Sequence, residues 1–416
     1  MRLVGSIGWD YSAAVHPTAS LANSTLAPPN STRPFVMRSS PLFEKFSFGN
    51  GVTLRNRAVM TPMTTWSANP DGTVSDQELV YVEARAKDVG MVITGCTHVS
   101  PEGIGFTNEF AAYDDRFIPS LRRLAQAAKS GGAPAILQIF HAGTKAVPEL
   151  VPNGRVVGPS TIQVPAGLFN AGGNISSELT HDEIEIIIRA FADATRRAIE
   201  AGFDGVELHG AHGFLIQDFF SPLANQRNDQ WGGTLEGRLR FPLSVVHAVL
   251  QVIKEHAGRP FLLGYRVSPE EPAEGGLRIS DTNLLIDRLI EAGVDYIHAS
   301  LYDVLNGMPS DGSAGKTTAQ LLIEHVAWRV PLIAAGGMKT PTQAEAALNS
   351  GLSLTAIGQG LIMNPNWVAL AKSDRAEEIV TALDPASAPS LTIPDKLWAV
   401  IQAAHGWFPI RERQPA

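Results

Sequence analysis

Residues 180–209, THDEIEIIIRAFADATRRAIEAGFDGVELH, contain a helix pattern followed by a strand pattern, and this pairing decides the fold. Apolar residues recur at helical spacing in the first part of the stretch. Thr180 and Glu183 have the spacing of a capping box, which predicts that the helix begins directly after Thr180. The short apolar run 205–209 then predicts a buried strand. The stretch is therefore one unit of an alternating helix–strand fold.

The same alternation continues in both directions from about residue 41. Strands separated by helices pair in parallel and are covered by helices on their faces. Eight strand candidates can be read from the sequence: 58–63, 90–94, 135–140, 205–209, 261–267, 296–299, 332–335 and 355–358. Eight such units predict a closed (β/α)8 TIM barrel of the α/β class. The competing doubly wound sheet is disfavoured, because no Gly-x-Gly-x-x-Gly turn follows the first strand.

The barrel is expected to occupy residues 41–385 as one domain. Residues 1–40 are rich in Ser, Thr, Ala, Asn and Pro and follow no helical or strand period, which predicts a poorly ordered extension. Residues 386–416 form a C-terminal tail that is apolar enough to pack on the barrel or on a partner subunit. A homodimer is therefore one expectation.

Composition excludes several classes of function. The chain has 416 residues and a formal net charge of −8, and it contains no lysine- or arginine-rich run, so nucleic acid is not an expected partner. No stretch of 18 apolar residues occurs, so no membrane span is expected. The single cysteine, Cys96, excludes a disulfide within the chain, a cysteine-built zinc site and a cysteine-ligated iron–sulfur cluster. It fits a reducing compartment such as the cytoplasm, although the serine-rich N-terminal stretch leaves organellar import open.

Functional residues of a barrel collect at the carboxyl ends of its strands. Gln138 emerges there from an apolar strand, and an amide that both donates and accepts is suited to reading a ring imide. Arg266 lies within a predicted buried strand, so its charge needs either an acidic partner or an electron-rich ligand. The sequence leaves these two partners open.

Two histidines, His209 and His212, lie three residues apart where the fourth strand ends. As neutral donors they could polarise a carbonyl or bind an anion. A packed pair that satisfies buried carbonyl groups is the alternative. No metal is expected, because no third ligand lies beside them in the sequence.

Glycines follow the last two strands, and the positions concerned are Gly336, Gly337, Gly358 and the adjacent Gln359. Barrels build phosphate sites from exposed backbone N–H groups at this place. An amide, an arginine, a histidine pair and a phosphate cradle at one barrel mouth together fit a phosphorylated planar cofactor such as FMN.

Six strings carry a family resemblance: TLRNRAVMTPMTTW (53–66), QIFHAGTK (138–145), GFDGVELHGAHGFLIQDFFSPLANQRNDQWGG (202–233), GYRVS (264–268), AAGG (334–337) and IGQGLIMNP (357–365). In consistent order over residues 41–375, they resemble the old yellow enzyme family of FMN-dependent NAD(P)H:flavin oxidoreductases. The resemblance is to the bacterial branch, which has histidine at the position of His212. The single cysteine removes the relatives that carry an iron–sulfur cluster.

The resemblance implies that NADH or NADPH reduces the flavin, which then transfers hydride to the β-carbon of an activated alkene. His209 and His212 would grip the carbonyl or nitro oxygen of the substrate. Trp66, Phe214 and Tyr81 are assigned to the substrate pocket. The residues assigned to FMN are Pro62, Met63, Thr64, Cys96, Gln138, Arg266, Gly336, Gly337, Gly358 and Gln359.

Three departures from the family pattern bear on function. Phe214 occupies the position of the usual proton-donor tyrosine, so water, Tyr81 or neighbours of Trp66 would have to deliver the proton. Gln359 stands where many relatives have an arginine on the phosphate, and Thr144 replaces another arginine. Phe214 motivates one alternative, an FMN-dependent isomerase or desaturase of a specific metabolite. A flavin-binding protein without turnover is the other.

Overall fold

Eight parallel strands form a closed barrel, as the sequence predicts, in a computed structural model that describes residues 40–166, 172–312, 315–373 and 375–411. Each strand pairs with the next along the chain, and the eighth pairs with the first. The strands are β1 (Ala58–Met60), β2 (Met91–Ile93), β3 (Ala135–Phe140), β4 (Gly205–Gly210), β5 (Leu262–Val267), β6 (Tyr296–Ser300), β7 (Leu332–Ala335) and β8 (Leu354–Ile357). The extension predicted over residues 1–40 lies outside the described residues except for Ser40.

Helices follow the strands and cover the outside of the barrel. They are α1 (Asp76–Ala86), α2 (Ile118–Ala128), α3 (His181–Ala201), α4 (Leu215–Phe220), α5 (Leu235–His256), α6 (Ile279–Ala292), α7 (Thr318–Val326), α8 (Pro341–Asn349), α9 (Gln359–Met363), α10 (Trp367–Lys372) and α11 (Asp395–Ala403). Helix α3 begins at the predicted capping box, in which the Thr180 side chain accepts from the backbone of Glu183 and the Glu183 side chain accepts in return. It ends at Gly202, whose φ of 93° suits glycine.

The amino-terminal end of the barrel is closed by a hairpin of the strands Phe46–Ser47 and Thr53–Leu54. Phe48 and Leu54 pack there with side chains from the barrel interior, including Met91, Ile136 and Ile333. Because this end is filled with apolar side chains, ligands can enter the barrel only from the carboxyl end, where the polar strand ends lie.

Some barrel strands differ in length from the prediction, because the backbone of proline and glycine residues sets where a strand ends. The predicted strand 58–63 ends at Met60, because Pro62 has no N–H to donate to a ladder. The predicted strand 355–358 ends at Ile357, where Gly358 turns into α9. Two short strands, Thr97–His98 and Phe110–Ala111, extend the sheet beside β3 and were not predicted, since two residues show no period.

The tail folds back over the barrel. Leu397, Ile401 and Phe408 are buried in the core cluster that lies between strands and helices. Arg85 of α1 donates to the backbone oxygens of Ile362 and Leu391, and so connects the first helix with the end of the chain. Among the described residues, no helix is both long and apolar enough to cross a bilayer.

Candidate active site

A cavity of about 320 Å³ opens at the carboxyl end of the barrel. Its walls come from the ends of strands β1 to β5, from the loop after β2 and from the C-terminal tail. The residues that line it are Pro62, Met63, Thr64, Trp66, Cys96, Gly105, Phe106, Gln138, Lys145, His209, His212, Phe214, Arg266 and Trp407. Ten of these were named from the sequence, and Gly105, Phe106, Lys145 and Trp407 were not.

Beneath the cavity, Glu207 anchors a polar network inside the barrel. It accepts hydrogen bonds from Gln138 Nε2 at 2.8 Å and from the Tyr296 hydroxyl at 3.1 Å, and its other contact is His298 Nδ1 at 2.9 Å. Burial favours the neutral carboxyl, but His298, Arg266 and Gln138 outweigh burial and hold the pKa of Glu207 below its usual value. Burial lowers the pKa of His298. A neutral imidazole therefore donates from Nδ1 to a carboxylate.

Arg266 lies above this network and was predicted to need a partner. Its Nη2 donates to Ser300 Oγ at 3.1 Å, and burial lowers the pKa of its guanidinium while the charge of Glu207 opposes that shift. Its Nε is buried and has no hydrogen-bond partner among the described residues. A buried N–H without an acceptor is costly, so this atom fits the electron-rich edge of a bound ring.

His209 and His212 lie together on one wall, with ring centroids 4.9 Å apart. His209 is buried and accepts the Ala211 N–H on Nδ1 at 3.3 Å, which leaves the proton on Nε2. His212 Nε2 lies 2.7 Å from Ser300 Oγ. The Ser300 hydroxyl can accept from Arg266 and donate its own proton to His212 Nε2, and in that arrangement the proton of His212 is on Nδ1.

Both imidazoles are neutral. Burial, followed by the charges of His212 and Arg266, lowers the pKa of His209 well below its usual value. Loss of hydration in the cavity wall and the charges of Arg266 and Lys145 lower the pKa of His212 in the same direction, although part of this side chain is exposed. The pair can therefore donate two hydrogen bonds to one acceptor without carrying a positive charge.

Phe214 packs directly against this pair. Its ring centroid lies 4.8 Å from that of His209 and 4.9 Å from that of Phe140, both edge to face. The side chain is 7% exposed and has no proton to give.

The opposite wall consists of Pro62, Met63, Thr64 and Cys96, which follow β1 and β2. The Thr64 hydroxyl and the Cys96 thiol lie 3.4 Å apart. Burial, and next the charge of Glu109, raise the pKa of the Cys96 thiol well above its usual value. The thiol is therefore protonated and is a small apolar wall residue rather than a nucleophile.

The glycines of the predicted phosphate cradle lie beyond the cavity walls, where the neighbouring strands β7 and β8 end. A side chain at Gly336 would meet the Leu301 carbonyl oxygen at 2.2 Å, and one at Gly358 would meet Thr61 Cγ2 at 2.9 Å. Gly337 has a φ of 70° and no atom nearer than 3.4 Å to where its Cβ would be. Gly337 therefore leaves space in which a ligand can approach the backbone.

Gln359 begins α9 beside these glycines, but its amide Nε2 donates to the backbone oxygen of Trp407. In this structure, its contact is with the C-terminal tail. The same tail places Trp407 in the cavity wall, with its ring centroid 6.0 Å from that of Trp66.

The placement of Tyr81 in the substrate pocket is corrected by the structure. Tyr81 lies on the inner face of α1, is 2% exposed and does not line the cavity. The Arg85 guanidinium carbon lies 3.8 Å from its ring centroid, and burial raises the pKa of its hydroxyl to about 12. Tyr81 and Arg85 are four residues apart in α1, so their side chains pair within the core. Tyr81 therefore offers no proton to the cavity.

Three residues in or beside the cavity were not expected from the sequence, for different reasons. Glu207 carried a signal, since a charged residue inside the apolar strand GVELH needs buried partners. Lys145 ends the string QIFHAGTK, where a single lysine after a strand does not by itself indicate a function. Glu109 gave no signal: this buried carboxyl accepts from the backbone N–H groups of Gly105 and Phe106 and shapes the loop that forms one cavity wall.

The fold and the cavity define a (β/α)8 barrel with a cleft at the carboxyl ends of its strands that is lined by both polar and apolar side chains. The family model described as "NADH:flavin oxidoreductase / NADH oxidase family" matches residues 41–378. The chain belongs to this family, the old yellow enzyme family, and is an NAD(P)H-dependent oxidoreductase with FMN as its cofactor.

Individual relatives agree with this assignment. The chain is 45% identical to "Probable NADH-dependent flavin oxidoreductase YqiG" of Bacillus subtilis (strain 168), over 89% of this chain and 98% of that protein. It is 37% identical to "NADH:fumarate oxidoreductase" of Klebsiella pneumoniae (strain 342), over 86% of this chain but only 38% of that one. An old yellow enzyme homologue from Zymomonas mobilis superposes with a TM-score of 0.68 at 26% identity, covering 79% of this chain and 91% of the other.

Proposed function

We propose that the protein reduces activated alkenes, namely α,β-unsaturated carbonyl or nitro compounds. The observation that carries this proposal is the pair of neutral imidazoles at the end of β4, which place two N–H donors on one wall of the cavity. Such donors stabilise the negative charge that develops on the substrate oxygen during hydride addition.

FMN, when bound, accepts hydride from NADH or NADPH and supplies it to the β-carbon of the alkene. His209 Nε2–H and His212 Nδ1–H hold the carbonyl or nitro oxygen of the substrate. The orphaned Nε of Arg266 would donate to the electron-rich edge of the flavin ring, and Gln138, fixed by Glu207, would bind its polar edge. Phe214 and Trp66 exclude water from the apolar face of the substrate.

The remaining cofactor contacts are also proposals. Pro62, Met63, Thr64 and Cys96 form the wall against which the flavin ring would lie. The flavin phosphate would approach the backbone N–H groups at Gly336, Gly337, Gly358 and Gln359. Because Phe214 and Tyr81 provide no proton, the proton that reaches the α-carbon comes from water in the cavity mouth.

The experiment that tests this function uses the holoenzyme without oxygen. The flavin is reduced with NADH, the excess NADH is removed, and 2-cyclohexenone or N-methylmaleimide is added while the absorbance of the flavin is followed. Return of the oxidised flavin spectrum is the expected result. If no activated alkene reoxidises the flavin, alkene reduction is not the function.

A second candidate, an isomerase or desaturase, is favoured by Phe214, which leaves the pocket without the usual proton-donating hydroxyl. An isomerase predicts an isomerised product without net consumption of NADH, and a desaturase predicts a desaturated product formed together with one equivalent of reduced flavin in the absence of oxygen. A carrier or sensor without turnover predicts that neither NADH nor NADPH bleaches the bound flavin. One anaerobic absorbance experiment with each nucleotide distinguishes this carrier from both enzymes.

A further inference from the structure

Lys145 is a cavity residue with no role in the function proposed above. It ends the short 3-10 turn Gly143–Lys145, just after β3, and lines the cavity together with the histidine pair. Its ammonium group donates to the backbone oxygen of His212. A side chain on Gly213 would meet Lys145 Nζ at 3.0 Å, so the ammonium lies against the turn that carries the histidines.

The charge of Lys145 has no close counter-ion. In the described part of the chain, no carboxylate oxygen lies within 4.0 Å of its Nζ. The two acidic side chains whose charges act on Lys145 are Asp218 and Glu271, and both accept hydrogen bonds from other groups. Asp218 accepts the Thr144 N–H at 2.9 Å, and Glu271 accepts from Gln217 at 3.2 Å and from Ser221 at 2.8 Å.

The cavity itself is cationic. None of the residues that line it is Asp or Glu, whereas Lys145 and Arg266 both carry a positive charge. Arg266 is occupied by Ser300 and by the edge of the flavin ring proposed above. Among the described residues, the ammonium group of Lys145 donates to the His212 carbonyl alone, so two of its three N–H donors can bind a substrate in the cavity.

The surroundings of the ammonium group make an ion pair there stronger than one at the surface. The Phe214 ring centroid lies 5.9 Å from Lys145 Nζ, and the same ring lies 4.8 Å from that of His209. An apolar ring on this side lowers the local dielectric, and charge-assisted hydrogen bonds are then stronger. Lys145, His209 and His212 line the same cavity, with Phe214 in contact with the ammonium and with His209.

We propose that Lys145 determines substrate specificity by binding a carboxylate on the alkene substrate. This inference rests on the proposed function, because His209 and His212 hold the carbonyl oxygen while Lys145 holds the carboxylate. The substrate class is then a small α,β-unsaturated carbonyl compound that also carries a carboxylate. Small size follows from the cavity volume of about 320 Å³, which the substrate would share with the flavin ring.

The test compares (E)-4-oxo-2-pentenoate with its methyl ester, which keeps the alkene and the ketone and lacks the charge. Lys145→Met is expected to lower the ratio of acid to ester kcat/KM by about tenfold to a hundredfold, mainly through KM, as for loss of one charge-assisted hydrogen bond. Lys145→Arg is expected to keep most of the ratio. Lys254→Met, on the exposed face of α5, removes a lysine outside the cavity and serves as the matched control.

A second measurement does not depend on turnover. Calorimetric titration of the holoenzyme with 4-oxopentanoate, the saturated analogue, is expected to give a Kd that rises for Lys145→Met and not for Lys254→Met. An unchanged Kd, an unchanged acid-to-ester ratio, or an effect confined to the KM for NADH would each overturn the proposal. If no alkene reoxidises the flavin, alkene reduction fails, but the calorimetric result still decides whether Lys145 binds a carboxylate.

Discussion

Phe214 allows the proton-delivery step to be tested at a single position. Its ring lies 4.8 Å from the His209 ring, so a hydroxyl added there would reach the region where the substrate is held. Phe214→Tyr is expected to raise the rate of flavin reoxidation by an activated alkene about tenfold or more, because a positioned general acid contributes on that scale. Stopped-flow absorbance of the anaerobic reduced enzyme measures this rate.

Phe214→Leu is the control for that experiment, because it changes the ring and adds no hydroxyl. An unchanged rate in Phe214→Tyr would mean that proton delivery does not limit the reaction. An equal increase in both variants would point to pocket size instead.

The histidine pair predicts a particular pH dependence. Because the pKa of each imidazole is lowered, both stay neutral as the pH falls through 6.5, the usual midpoint for histidine. The rate of flavin reoxidation by an alkene is therefore expected to show no histidine step between about pH 6 and 8. A step near 6.5 in the wild type that disappears in His209→Ala would contradict the neutral pair.

The sequence was informative where a polar side chain stands out at the end of an apolar strand. Gln138 and Arg266 were found inside such strands and His209 and His212 where the fourth strand ends, and all four line the cavity, whereas Glu207 in the same fourth strand was missed. Tyr81 was misplaced because the resemblance gave no indication of which face of α1 points inward. Lys145 was overlooked because one lysine after a strand is usually a solvated surface residue.

The glycine turns after β7 and β8 permit a test of the proposed phosphate cradle. Gly337 has a φ of 70°, so Gly337→Ala is expected to cost about 1 kcal/mol of stability from backbone strain. Its methyl group would also occupy the space left for a ligand beside the backbone. The Kd of the apoprotein for FMN, measured by fluorescence titration, is expected to rise about tenfold.

Gly258→Ala is the matched control, since Gly258 has a φ of 59° and lies after α5 with no atom within 4 Å of its Cβ position. The same loss of stability is expected there, with the affinity for FMN unchanged. Equal FMN affinities in the two variants would place the phosphate elsewhere.

Strand ends were harder to predict than strand centres. The runs 135–140 and 332–335 were located to the residue, because uninterrupted apolar side chains fill the barrel interior. Residues 61–63 and 358 were included wrongly, because proline and a glycine turn end the ladder while the side chains stay apolar. The short strands beside β3 depend on contacts between distant parts of the chain, which no local pattern records.

The C-terminal tail completes a cavity whose wall begins with the residues after β1. Trp407 reaches the cavity, and its backbone oxygen accepts from Gln359 at the other side of the barrel mouth. Trp407→Ala is expected to raise the KM for an alkene several-fold, because the cavity loses one apolar wall. Steady-state kinetics under anaerobic conditions measures this change.

Trp398→Ala provides the comparison, because Trp398 lies in α11 of the same tail and does not line the cavity. Both variants are expected to lose some stability, and only Trp407→Ala is expected to change KM. An equal change in KM would mean that the tail acts through its packing alone. The homodimer expected from the sequence stays a prediction, for which light scattering is the measurement.

The contact between Trp66 and Trp407 has an optical consequence. Their indole rings lie 6.0 Å apart in the wall of the cavity where the flavin ring is proposed to bind. Indole emission overlaps the near-ultraviolet absorption of a flavin, so resonance energy transfer at this separation would be almost complete. The intrinsic fluorescence of the protein would then fall as FMN is loaded, and the chain carries its own reporter of cofactor occupancy.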